Sequence, residues 1–545
     1  MTGVLKKIAS FFHNETNFVL LMILIITGLS LAFHFYCLFF VAPKETTYTF
    51  GHKNLIDYYQ FLSYMKDGAD GKFLITLRYS PDVFIRKPVY LFYPFIGFLS
   101  SVFKLPNFLG YTITRVFLGE IKLFLIYYLI SLIFSKSSER KLAFVLCLFS
   151  PPILKLKPLA IYSQYLFSTD PLQRTFFVAH DLVATIAIML GVIFLNHWLN
   201  FNKTKTIIFS ALMFFLAAIA NPAMLSLFYL FLGLGVGLTW LNSQIEKKRL
   251  LIGSFLAIFP GLLAIIYYLY LFTTVLPFSW LYSGAGRTNV IMSYRDFFKA
   301  WGVPAFLFFL AIPSFWKKKN LLGNFILAWA ITPFFVRPLL GKIIPLPEER
   351  LFETSLFIPL SIMASVSYFW LLSRIKNLIL KNYFKVVSSL SFILLVGISF
   401  WLSLKLHISF FRPEFFNLFV PNSLLESFHW LDENTADEST VAGGLYTSNM
   451  LPAFSHNRVL FGGGDLTYQT PKRAEETRKI FNEDPATPEE VEEILKLEKI
   501  SYILLNGEPR SEKDTNLSKI KNLHLVYTNG EVSILQFLPN KSSAK

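Results

Sequence analysis

The chain is 545 residues long, 54% hydrophobic and 17% aromatic with only 16% charged, and carries a formal net charge of +16. A chain this apolar is excluded as one water-soluble globule. The positive charge does not mark a nucleic-acid binder, because residues 406–545 hold 14 Lys and Arg against 20 Asp and Glu; the whole excess lies in the apolar part, the imprint of loops facing anionic lipid.

The first apolar run, Asn17 to Val41, is about 25 residues long and lacks a small-residue cleavage site, so it reads as a retained span. Further strong spans are predicted at 110–134, 176–199, 222–241, 250–273, 321–340, 353–372 and 385–404, with shorter or interrupted ones at 142–161, 206–220 and 303–316. Pro151-Pro152 breaks the first of these short runs, and Asn221-Pro222 separates the pair around it. Basic clusters decide the status of the run 89–104. If it does not cross, the segments 135–141, 202–205, 246–249, 317–319 and 374–385 all become short, Lys/Arg-dense cytoplasmic loops. The expectation is a polytopic α-helical membrane protein of about eleven transmembrane helices, multi-pass in a cell (plasma or inner) membrane, with a cytoplasmic N-terminus. Residues 1–405 form the membrane domain, with a first outer loop at 42–109 that contains an interfacial helix at 89–104.

The remainder, 406–545, reads as a soluble α/β domain on the extracytoplasmic side. Strand-like runs lie at 439–444, 458–463, 501–506, 524–529 and 531–537, and helices at about 421–434 and 488–499, the second opened by Pro488 and a carboxylate-rich first turn. Cys37 and Cys147 both fall in apolar runs and imply no disulfide framework.

This topology gathers the costly charges on the outer face. Asp57 and Lys87 lie in the first loop, and Arg115 starts the second span. Arg174, His180 and Asp181 stand near the outer end of the fourth; Arg337, Lys342, Arg350 and Glu353 stand in or beside the loop after the ninth. Ionisable groups at membrane depth mark function by default. Cations would clamp a phosphate and a carboxylate could accept a proton from an attacking hydroxyl, which suits a substrate that is half phosphate and half lipid.

Read together, Asp57, Tyr59, "DGKF" at 70–73, "RKPVYLFY" at 86–93 with Lys87-Pro88 and Tyr90, and Arg115 in "YTITR" resemble the first outer loop of the GT-C superfamily of integral-membrane glycosyltransferases, which includes protein mannosyltransferases and the aminoarabinose transferases of lipid A. The resemblance covers residues 17–135. It implies a glycosylation reaction in the cell envelope: transfer of a sugar from a polyprenyl-phosphate donor to an acceptor glycan, lipid or protein, with Asp57 as general base and Asp181 as the second acidic site. It further implies donor-phosphate binding by Lys87 with Arg115, Arg337 and Arg350, and a substrate pocket to which Tyr59, Tyr90, Arg174 and Glu353 belong. No cofactor is implied with certainty. One Pro follows Lys87 where the family has two, and no Asp-x-Asp occurs in the first loop, so a divalent cation (Mg or Mn) stays open; no metal ligands are assigned.

Other readings stay open on the residues alone. Asp57 also suits a helix cap and Lys87 an interfacial anchor. A transporter or flippase for a lipid-linked or anionic solute would use the same charges, and a non-catalytic envelope scaffold would use the C-terminal domain.

Overall fold

The computed structural model describes residues 14–51, 55–153, 169–176, 178–283, 293–340, 346, 350–410, 418–463, 466–481, 483–506 and 516–539. Among them, eight helices are long and apolar enough to cross a membrane: Glu15–Val41, Asn107–Ile133, Ala179–Phe201, Pro222–Asn242, Lys247–Thr274, Leu321–Leu339, Phe357–Arg374 and Leu378–Ile398. The helices Tyr294–Ala300 and Val303–Trp316 meet at 94° and make a ninth candidate if taken as one bent span. Gly302 supplies the bend with a φ of +66, and Pro304 opens the second arm.

The two remaining short runs behave as their breakers dictate. Helix Ser137–Phe149 stops at Ser150, just before Pro151-Pro152, and the rest of the expected span 142–161 lies outside the described residues from 154 onward. Helix Thr204–Ala220 has 17 residues and ends where Asn221 caps the next helix through Met224 N, with Pro222 in its first turn.

The chain divides into two compact units, one formed by residues 1–33, 114–268 and 288–409, the other by 34–113, 269–287 and 410–545. The named elements of the first, among its described residues, are helices. Its interior is apolar, with Trp329 fully buried and its indole N–H donated to Thr354 O at 3.0 Å.

The second unit combines the first loop with the C-terminal region. Strands β1 (Thr46–Tyr48) and β2 (Phe419–Pro421) pair antiparallel. A five-stranded sheet follows from β3 (Thr440–Ala442), β4 (Arg458–Val459), β5 (Ile500–Asn506), β6 (Leu523–Thr528) and β7 (Val532–Phe537), in the order β4-β3-β5-β7-β6. β3 runs parallel to β4 and β5, while β7 runs antiparallel to β5 and β6. Helix Pro488–Leu497 begins with a capping box between Thr487 and Glu490 and buries Val491 and Leu495 against Ile503, Leu505 and Phe537. All five strand-like runs and both helices expected after residue 406 are present.

Helix Leu55–Ala69 of the first loop is held inside this unit by charge. Lys66 Nζ lies 2.9 Å from Asp432 Oδ2, Arg86 Nη2 2.8 Å from Glu438 Oε1, and Lys72 Nζ 3.3 Å from Asp437 Oδ2. His456 places Nδ1 2.6 Å from Asp432 Oδ1 and hydrogen-bonds Asp70 through Nε2. Asp67 and Arg78, each 1% exposed, form a fully buried ion pair.

Candidate functional site

The residues singled out from sequence fall into both units, and each unit builds its own cluster. In the second, Asp57 stands in the first turn of helix Leu55–Ala69, where the helix dipole favours a carboxylate. Four tyrosines of the same unit, Tyr58, Tyr59, Tyr64 and Tyr79, are buried to 1% exposure or less. Burial pushes the Tyr64 and Tyr79 phenols above their usual range, and the charge of Asp57 adds to both shifts, so the carboxylate lies within electrostatic reach of these rings. Tyr58 donates to Thr49 O, and the Tyr59 hydroxyl lies 3.3 Å from Thr49 Oγ1; with no exposed surface, Tyr59 serves the wall of the cluster.

Tyr90 adopts a φ of +50, a left-handed conformation that a bulky residue takes only under constraint. It stacks on Tyr64 at 6.0 Å between centroids. Lys87 pairs with Ile75 in an antiparallel bridge, donating its N–H to Ile75 O at 3.0 Å and accepting from Ile75 N–H at 3.1 Å. The Lys-Pro pair therefore sits on extended chain, and the helix expected over 89–104 runs from Phe92 to Val102. Pro88 keeps Lys87 extended, and Tyr90 at its positive φ holds off the helix until Phe92.

In the first unit, Asp181, Glu353 and Arg350 come together around Asn221. Asn221 Nδ2 donates to Asp181 Oδ1 at 2.7 Å and to Glu353 Oε2 at 3.4 Å, while its Oδ1 accepts from Met224 N. Arg350 Nη1 lies 2.6 Å from Glu353 Oε1, and His180 Nε2 3.2 Å from Asp181 Oδ1. Burial raises the Glu353 carboxyl above the usual carboxylate range; Arg350 opposes this.

Arg174 lines the same small pocket as Asp181 and Glu353, together with Lys122 and Ser355. Burial draws the Arg174 guanidinium down to about 10. Arg337 is not in that lining: its guanidinium stacks over the rings of Tyr294 and Phe297 at 4.5 and 5.1 Å. Arg115 is buried in helix Asn107–Ile133 and is likewise absent from the lining.

Two members of this cluster escape a reading by sequence alone. Lys122 follows Arg115 about two turns on in the same apolar helix, and an intramembrane lysine is itself the signal that points to it. Asn221 reads in the sequence only as a break before Pro222, whereas its amide also organises two carboxylates. Among the described residues, no group of three or more His, Cys, Asp or Glu could hold a metal ion, and no step is assigned to one.

No protein-family model matches the sequence, and no curated protein matches it by sequence comparison. Solved structures do match. The oligosaccharyltransferase of Archaeoglobus fulgidus in its apo form superimposes with a TM-score of 0.57 at 12% identity, over 91% of this chain and 70% of that one. The archaeal oligosaccharyltransferase AglB from Archaeoglobus fulgidus, in complex with an inhibitory peptide and a dolichol-phosphate, matches at 0.53 and 12% identity over 90% and 69%. The arabinofuranosyltransferase AftD from Mycobacteria matches at 0.54 and 12% identity, over 96% of this chain and 40% of its own. At such identities the likeness is one of architecture. The chain, with its eight or nine candidate membrane helices and a sheet-bearing C-terminal region, has the fold of the GT-C integral-membrane glycosyltransferases.

Proposed function

We propose that this protein is a membrane glycosyltransferase that moves a sugar from a polyprenyl-phosphate-linked donor to an acceptor on the extracytoplasmic face. The observation that carries the reading is the placement of Asp57: a partly exposed carboxylate in a helix first turn, beside buried tyrosines, in the same compact unit as Lys87 and the constrained Tyr90. That is the residue set that the sequence motif names. The dolichol-phosphate bound to AglB, a protein of like fold, supports a lipid-phosphate donor.

In this mechanism Asp57 accepts the proton of the acceptor hydroxyl as its oxygen attacks the anomeric carbon. The bond from that carbon to the phosphate oxygen breaks, and its electron pair leaves with the lipid phosphate. Lys87 stabilises the departing charge. The acceptor is a glycan, a lipid or a protein.

The test uses wild type and Asp57→Asn in lipid nanodiscs with radiolabelled polyprenyl-phosphate sugars. Donor binding should persist while turnover falls by about 100-fold or more, the scale of a lost general base. Equal turnover by both proteins would remove Asp57 from the chemistry, and release of intact donor at equal rates would favour transport.

A further inference from the structure

The five-stranded sheet reverses direction at β3. From β3 the chain passes through helix Leu445–Phe454 to β4 on one side, and from β4 it passes through helices Thr470–Ile480 and Pro488–Leu497 to β5 on the other. Crossovers between parallel strands are right-handed, so moves in opposite directions carry their helices to opposite faces and open a crevice at the carboxyl ends of the strands. A cavity of about 180 Å³ lies there. β3 pairs with β5 only as far as Ala442 and Ile503; beyond them Leu504, Leu505 and Asn506 line the cavity on one side. Gly444 and Leu445, which open the first crossover helix, and Phe461, which follows β4, line it on another. Ala474 and Arg478 of helix Thr470–Ile480 join them, with Phe481 and Glu483 just beyond that helix. No lining residue belongs to the first loop, so the cavity is separate from the Asp57 cluster.

A largely apolar wall with a few placed polar groups is the make-up of a small-molecule site. Leu504, Leu505 and Phe481 are its buried apolar part, and Phe461 adds ring surface. Arg478 Nε lies 2.8 Å from Asp484 Oδ2, and Asn506 Nδ2 donates to Thr447 Oγ1 at 2.8 Å, so both planar groups are held in place. The charges in the lining are one guanidinium, Arg478, and one carboxylate, Glu483. An anion would meet the second and a cation the first, which favours a neutral ligand. Two phenyl rings with a guanidinium, a carboxylate and an amide complement a sugar, which presents C–H groups on its faces and paired hydroxyls at its edges. Room for roughly six waters at ~30 Å³ each is close to the bulk of one sugar ring.

We propose that this crevice is a carbohydrate site, which takes one neutral sugar ring in the C-terminal region apart from the Asp57 cluster. The assignment does not rest on the transferase reading.

Full-length wild type, Asp57→Asn, Ala474→Phe, Phe461→Ala and Arg478→Ala are purified in nanodiscs. They are titrated with methyl α-glucoside, methyl α-mannoside, methyl α-galactoside and methyl α-arabinofuranoside, reading Kd and the protected ring face by saturation-transfer NMR. At least one glycoside should bind wild type and Asp57→Asn alike, with saturation strongest at the ring C–H protons. Ala474→Phe fills the cavity and should weaken that glycoside at least about tenfold. Phe461→Ala and Arg478→Ala should each weaken it severalfold. If Ala474→Phe fails to fold, Arg478→Ala is read instead, since its side chain is 45% exposed. Three results overturn the site: no binding of any of the four glycosides to wild type, equal Kd in wild type and Ala474→Phe (or Arg478→Ala where that variant is read), or binding lost in Asp57→Asn. Inorganic phosphate or glycylleucine bound more tightly than every glycoside would overturn the carbohydrate class. Turnover plays no part in this readout, so its failure leaves the role of Asp57 in transfer standing.

Discussion

His456 cannot satisfy both of its partners as a neutral ring, since one nitrogen would then turn a lone pair on a carboxylate. Hydrogen bonds to Asp432 and Asp70 hold the imidazole above its ordinary value, with burial, Lys66 and Arg78 acting the other way. Burial alone would raise Asp432 and Asp70, but their bonds to His456, and that of Lys66 to Asp432, bring both below the usual range. The signs then fix a window. The imidazolium contributes stability that is complete below about pH 6.5 and fades as pH climbs through its raised value; the carboxylates contribute stability that is present above about pH 4 and fades below it. Thermal midpoints of wild type should therefore decline on both sides of this window, and His456→Gln should flatten the alkaline decline selectively. A midpoint of His456→Gln that tracks wild type from about pH 6 to 9 would show the link contributes nothing. The buried pair beside it predicts a larger effect: Asp67→Ala, which strands Arg78 at 1% exposure, should cost about 3–5 kcal/mol by denaturant unfolding. Residues of this kind are only partly legible in sequence. Asp57, Lys87 and Tyr90 can be picked out because they stand in one short run, whereas His456 and Asp432 meet Asp70 and Lys66 across more than three hundred positions and leave no local pattern.

Between elements, helix Leu55–Ala69 crosses helix Phe92–Val102 at close range. A Cβ on Gly68 would stand 1.8 Å from Pro94 O, and one on Gly97 1.9 Å from Met65 O. Each glycine faces the other helix's backbone, which cannot step aside as a side chain would. Gly97→Ala should thus force the helices apart and destabilise by about 1–3 kcal/mol, and it should weaken donor binding because Tyr90 and Lys87 lead into the displaced helix. An unchanged melting curve would mean that the two helices can separate without cost. Gly71 acts differently, for its φ of +74 stops helix Leu55–Ala69, with its N–H given to Gly68 O at 2.9 Å. The "DGKF" step is readable as a motif, and its physical content is a helix terminus. Strands β3 to β7 are readable as apolar runs, even where the paired part is only two or three residues long, whereas β1 and β2 pair across more than three hundred positions and leave no local pattern.

For the whole molecule, hydropathy identifies the eight long helices, because about 20 apolar residues can hardly be anything else. It counts less well where a proline or an Asn-Pro step cuts a run short, as at Ser150 and Ala220. The sidedness expected from the basic loops can be tested simply, since both native cysteines are buried. In intact cells a membrane-impermeant maleimide should label Asn434→Cys and spare Ser135→Cys; the opposite pattern would invert the topology. The second unit is hard to anticipate from a local window because it joins the first loop to the C-terminal region, stretches more than three hundred residues apart. That discontinuity sets a clock on biosynthesis. Lys66 emerges 366 residues before Asp432, an interval of roughly 20 to 70 s at ordinary elongation rates. Throughout it, the loop bearing Asp57 lacks Asp432, Glu438 and His456, so its assembly has to wait for the final stretch of translation rather than proceed in step with membrane insertion.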